Sequence, residues 1–347
     1  MWFRVGGCSV FSGRNVECGV RKGRSRRLLG RALGASLFAL ALFGSSCREP
    51  APSPIRIGYS PFPGHIIFGM AERLGFFQEE GVAVELREFS SFSAAVQAYE
   101  AGRLDALASS FSGLLQLAQR MKSVKAIALL AYSEGADGLI AQPEIRTIGE
   151  LRGKRIGISA WGVGGYLWAR VRERSGLKEE EVHLVNLSPA DGQRAFLRRE
   201  IDALLTFEPW LTRTVRQARA NVLFTSRELS GEIVDVLSIQ ERLLRERREE
   251  CRRLLRAYFR AVEYGRENPE EIVRSLAERW SVSREDARAM REGVRFLDRE
   301  ENLRALGTPA ALATWRELAE RHRRLNIVRE IEDVTHLFDL ALIRERP

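Results

Sequence analysis

Six hydroxyl side chains recur at matched points along this chain. Arg56-Ile57-Gly58-Tyr59-Ser60 returns as Arg155-Ile156-Gly157-Ile158-Ser159, and Val84-Glu85-Leu86-Arg87-Glu88-Phe89-Ser90 returns as Val182-His183-Leu184-Val185-Asn186-Leu187-Ser188. Leu104-Asp105-Ala106-Leu107-Ala108-Ser109 returns as Ile201-Asp202-Ala203-Leu204-Leu205-Thr206. The intervals of 99, 98 and 97 residues keep one register, which points to a structural duplication. Each string is a short apolar or β-branched run that stops at Ser or Thr, the pattern of a buried strand. A hydroxyl in that place caps the next helix or contacts a ligand, and a helix N-terminus with spare amides permits both.

Ser60, Ser90, Ser91, Ser109, Ser110 and Thr206 are therefore candidate ligand contacts, whereas Ser188, ahead of Pro189, reads as a cap alone. Phe62 with Pro63, Tyr132, Trp161 and Trp210 follow or end strands, where an aromatic either flanks a flat or cationic ligand or packs beneath its loop. Gly162, Gly164 and Gly165 let the backbone approach a ligand, but their spacing is not a dinucleotide fingerprint and lacks a phosphate-binding lysine. Asp137 and Glu208 fix the charge of the ligand if they face it; otherwise they serve local turns. A carboxylate about 5 Å from an anion costs roughly 3 kcal/mol at an effective dielectric of 20, and a helix N-terminus returns only about 0.3–1 kcal/mol. No arginine stands at the six strand ends. A simple anion is thus disfavoured against a zwitterion, an amine or a nitrogen heterocycle. Of the four histidines only His65 falls near these residues, where ligand contact and solvation are both open, and no metal-ligand spacing or cofactor motif appears.

Helical patterns separate the strings, and strand alternating with helix calls for parallel sheets with right-handed crossovers. The expected fold is α/β, with two lobes whose strand tips face a shared cleft, since ligands sit beyond the carboxyl ends of parallel strands. Leu139-Ile140-Ala141 and Ile233–Ile239 are the expected crossing strands. The first lobe takes 55–140 and 234–347, the second 141–233. Leu243, Leu244, Cys251, Leu254, Leu255, Tyr258, Phe259 and Val262 form an apolar helical stripe that begins a helical C-terminal extension.

The net charge of +9 belongs to the N-terminus. Residues 1–46 carry +7 and the remainder +2, so the body has no polyanion-binding signature and no nucleic-acid partner is expected. Ala32–Ser46 is uncharged and mostly apolar, too short for a comfortable membrane span, and it follows a basic segment as in an export signal. Gly44-Ser45-Ser46-Cys47 resembles a bacterial lipobox, with Gly44 where Leu or Val is usual, so Cys47 is the expected lipidation site. Ser25-Arg26-Arg27-Leu28-Leu29 resembles a twin-arginine signal, and both export routes remain open. Residues 1–47 then form a lipoprotein-type signal and 48–54 a proline-rich tether. Cys251 is left alone, on an apolar stripe, with no disulfide framework to join.

Leu74-Gly75-Phe76-Phe77-Gln78-Glu79-Glu80-Gly81, Gly102-Arg103-Leu104-Asp105, Leu151-Arg152-Gly153-Lys154-Arg155-Ile156-Gly157 and Thr206-Phe207-Glu208-Pro209-Trp210 resemble the nitrate/sulfonate/taurine branch of ABC-transporter solute-binding proteins, which includes thiamine-pyrimidine-precursor binders. The resemblance runs from about Ile55 to the C-terminus. It implies the type II periplasmic-binding-protein fold, capture of a solute by lobe closure, and delivery to an ABC permease with its ATPase subunits. It also implies a monomeric, non-enzymatic protein, periplasmic or at the cell surface, anchored by its lipid. Two alternatives stand beside it. One is a same-fold pyrimidine-precursor synthase, which would need a cysteine-rich active-site segment. The other is a solute-sensing module without transport.

Overall fold

The computed structural model describes residues 53–329 and 333–344. The expected leader, Cys47 and most of the tether lie outside them. The apolar strings become strands as their composition demands: β1 Ile55–Tyr59, β2 Val84–Glu88 and β3 Ala106–Ser110, then β4 Val124–Ser133 and β5 Asp137–Ala141. The second set follows as β6 Arg155–Ile158, β7 His183–Asn186 and β8 Ala203–Phe207, then β9 Asn221–Thr225, β10 Val234–Gln240 and β11 Val294–Phe296. They make two sheets, ordered β11-β4-β10-β3-β1-β2 and β7-β6-β8-β5-β9.

The duplication is visible in that order. In each sheet the first strand of the repeat pairs in parallel with the other two, Ile57 and Gly58 facing Ala106 and Leu107 in one, Ile156 and Gly157 facing Ala203 and Leu204 in the other. An antiparallel strand then adds beside the third: β10 along β3, and β5 along β8. Each lobe receives that strand from the segment that leaves the other lobe's run. The chain changes sheets at residues 134–136, and all of β5 pairs in the second sheet, a few residues ahead of the boundary read at 140; the turn Ser133–Asp137 is what frees β5 from β4.

Among the described residues the sheets are covered by helices α1 Ile66–Arg73, α2 Phe92–Glu100, α3 Phe111–Ala118, α4 Val163–Ser175, α5 Pro189–Leu197, α6 Trp210–Ala218, α7 Arg248–Glu267, α8 Pro269–Trp280, α9 Arg284–Glu292 and α10 Pro309–Arg324, with the helix Arg299–Leu306 and shorter helical segments between. The stripe on α7 is buried, and Tyr258 meets Phe68 of α1 at 4.8 Å between ring centroids. Full burial of a side chain of this kind is worth about 1.5–3 kcal/mol. One apolar cluster runs through both lobes, joining Leu107, Leu139 and Ile156. α10 ties them further. Its His322 stacks on Tyr166 of α4 at 3.9 Å, and Nε2 lies 2.8 Å from the Ser112 hydroxyl of α3. No helix among the described residues is long and apolar enough to cross a membrane.

Candidate functional site

The strand tips of both sheets converge on one cleft. Ser60, Ser109 and Ser110 line it from the first lobe; Ser159, Ser188 and Thr206 line it from the second. Ser60, Ser110, Ser159 and Ser188 end or follow their strands, and Ser109 and Thr206 lie in the last residues of the buried strands β3 and β8; β7, ahead of Ser188, is largely exposed and not buried as its pattern predicts. Ser110 accepts from the Gly113 N–H at the start of α3, and Ser188 accepts from the Asp191 N–H at the start of α5. They are caps that also face the cavity. The cavity volume is about 60 Å³.

Three ionisable side chains line this cleft among the described residues: Asp137, His65 and Asp235. Asp137 opens β5 and is 2 % exposed. Burial pushes its carboxyl up to about 7, against the Ser133 hydroxyl and with a further push from Asp235 and Glu208. His65 and Asp235 meet from opposite directions, one at the head of α1 and one on the returning strand β10. His65 Nδ1 lies 3.0 Å from the Ser60 carbonyl, which can only accept, so that nitrogen carries a proton. Nε2 approaches Asp235 Oδ2 at 3.1 Å, yet neither atom makes a hydrogen bond. Thr206 Oγ1 is also buried and without a partner.

Aromatic side chains wall the cavity. Phe62 of the first lobe meets Phe207 of the second edge to face at 6.0 Å, and Phe92 and Trp161 complete the walls. Phe92 reaches across so closely that a Cβ on Gly162 would lie 3.3 Å from its ring, and Gly162 itself sits at φ +76°. That position needs glycine on both counts. The Gly162 N–H donates to Gln116 Oε1 at 2.8 Å, and the Arg120 guanidinium covers the Trp161 ring at 5.2 Å. At the other rim Arg213 of α6 donates to the Trp280 carbonyl, and Arg216 pairs with Asp286 and, at 3.2 Å, with Glu285. The lobes are held together on both sides of the cleft.

Of the residues expected at the site, Ser60, Phe62, Ser109, Ser110, Asp137, Trp161, Gly162 and Thr206 line the cavity. Seven others stand outside the lining. Pro63 begins a buried 3-10 turn, Ser90 is exposed, and Ser91 caps α2 through the Ala94 N–H. Tyr132 lies under Arg295, Gly165 is in the first turn of α4, and Trp210 packs against Phe207. Glu208 is buried, but its carboxylate accepts from the Thr212 N–H and hydroxyl in the first turn of the helix that follows it. Burial pushes that carboxyl to about 7 as well. Sequence reasoning missed Asp235, although a lone acid in an apolar strand is a signal in itself, and it left His65 undecided where the structure buries it. Cys251 is buried on α7, outside the lining. Among the described residues no group of three or more His, Cys, Asp or Glu could hold a metal ion. The arrangement can surround a small solute, accept hydrogen bonds from it and exclude water.

Comparison with known proteins places this geometry in context. A Brucella abortus protein described as a "Putative binding protein" is 24% identical over 257 residues, 72% of this chain and 78% of that one. The alkanesulfonate-binding protein SsuA from Xanthomonas axonopodis pv. citri, bound to MOPS, superposes with a TM-score of 0.70 at 15% identity, covering 83% of this chain and 99% of its own. The ligand-binding component of an ABC-type import system from Staphylococcus aureus, with zinc bound, gives 0.73 at 15% identity over 85% and 99%. The desulfurization enzyme DSZB also shares the fold, with a TM-score of 0.59 at 16% identity over 83% of this chain and 97% of its own. These structures establish the two-lobed periplasmic-binding-protein fold. The model of the family described as NMT1/THI5 like matches residues 62–272, more than half of the sequence, and this chain belongs to that family.

Proposed function

We propose that the protein is an extracytoplasmic solute receptor. It is exported on its basic leader, held to the membrane through a lipidated Cys47, and closes as a monomer on a small organic solute that it passes to an ABC permease and its ATPase subunits. The observation that carries this reading is the convergence of duplicated strand tips, Ser60 and Ser109 against Ser159 and Thr206, on one cavity between two lobes. Lobes of this kind close by hinge motion around what they bind.

Among the solutes open from the sequence, the lining favours an amine or a nitrogen heterocycle over a sulfonate or a taurine-like zwitterion. Asp137 and Asp235 face the cavity, and no lysine or arginine is among its lining residues to offset them. A same-fold enzyme finds its one specific support in the buried contact of His65 with Asp235 at 3.1 Å. No cysteine among the described residues lines the cleft with it. An enzyme would release an altered compound, whereas a receptor returns its solute unchanged in mass. Small-angle scattering tests closure: the radius of gyration should fall on addition of a solute that binds. A radius unmoved by every binding solute contradicts the reading.

A further inference from the structure

We infer that the solute carries a planar cationic head group of the amidinium or guanidinium type, seated against the Asp137 and Asp235 carboxylates with an N–H directed at Thr206 Oγ1. This deepens the receptor reading of the same cleft and rests on it.

Charge comes first. The lining holds two carboxylates and one imidazole, with no lysine or arginine, and the Arg120 guanidinium is turned onto the Trp161 ring. His65 Nε2 stands 3.1 Å from Asp235 Oδ2, and Asp137 has no histidine, lysine or arginine beside it among the lining residues. Hydrogen bonding comes second. Thr206 Oγ1 is buried without a partner, and Asp235 Oδ2, though 3.1 Å from His65 Nε2, makes no hydrogen bond; such atoms call for donors from the occupant. Size and shape come third. A cavity of about 60 Å³ takes on the order of four water-sized groups, the size of one carbon with its nitrogens. A primary ammonium would match the charge, but a flat fork of N–H groups also matches carboxylates in pairs and stacks on ring faces. Phe62, Phe92, Trp161 and Phe207 supply such rings on both sides.

The test uses the full chain in detergent and calorimetric titration with two matched series. Acetamidine, methylguanidine and benzamidine form the cations; acetate, methanesulfonate and benzoate form the anions. At least one cation should bind about tenfold or more tightly than its anion of like shape, and Asp235→Asn should weaken it by about tenfold. Should Asp235→Asn not fold, Thr206→Val, which removes a hydroxyl and keeps the shape, carries the comparison. Anions that bind as tightly as the cations, or cation binding unmoved by Thr206→Val, overturn the assignment. Silence from both series overturns it too. In each of these cases the receptor reading still stands if a metabolite extract lowers the radius of gyration, and it falls if nothing does.

Discussion

Asp137 is costly to the folded protein when its cleft is empty. Its carboxyl titrates near 7 in the fold and near 3.8 when exposed, so the folded state holds a proton that the unfolded chain releases. Stability from this group is full below about pH 3.8 and is lost as pH rises toward 7; Glu208, also near 7, acts in the same direction. Asp137→Asn should therefore melt like the parent at pH 4 and several degrees higher at pH 8, by calorimetry at both values. An equal melting point at pH 8 would show that the side chain is not buried as described. Glu208→Gln should share that stability profile and leave solute affinity within about twofold, because Thr212 turns its carboxylate away from the cavity. In sequence the two acids looked alike, since each stands at a strand end beside a turn. The i,i+4 partner that takes Glu208 out of the cleft is visible as a residue type but not as a direction. Asp235 is marked in the sequence as a lone acid in an apolar strand, but its place was illegible: its strand returns from the other lobe, and linear order does not show which tips it joins.

The repeated strings are explained pair by pair at the level of strands. Arg56 and Asp105 bind across β1 and β3, through the Arg56 N–H at 2.9 Å and Nε at 2.8 Å. Arg155 and Asp202 repeat this at 2.8 and 3.1 Å. Gly58 and Gly157 follow, and a Cβ there would fall 2.3 Å from Leu104 Cδ1 and 2.6 Å from Ile201 Cδ1, which are themselves matched residues of the repeat. Arginine, glycine, large aliphatic and aspartate thus form one packing unit used twice. This part was legible because it is local to each repeat. Gly58→Ala and Gly157→Ala should each destabilise the chain by about 1–3 kcal/mol through overpacking, measured by denaturant titration. A neutral result at both would remove the close approach as the reason for the repeat. What joins the lobes was less legible. Tyr166, His322 and Ser112 come from three distant segments, and only the fold shows that α10 spans them.

For the molecule as a whole, the two sheets, their crossing strands and the helical extension follow from strand and helix periodicity, and the family match over residues 62–272 agrees with them. The strength of closure does not follow from periodicity. It comes from contacts between surfaces that meet only after folding, Gln116 with Gly162 on one side and Arg216 with Asp286 on the other. Those contacts hold a cavity of about 60 Å³ with partnerless polar atoms inside it, a state suited to a bound solute. Native mass spectrometry of the full chain, equilibrated with an extract of its producing cells, tests that claim most directly. The account predicts one small-molecule mass retained by the parent and absent from Ser109→Trp, which fills the cavity. Identical spectra from parent and variant would contradict it.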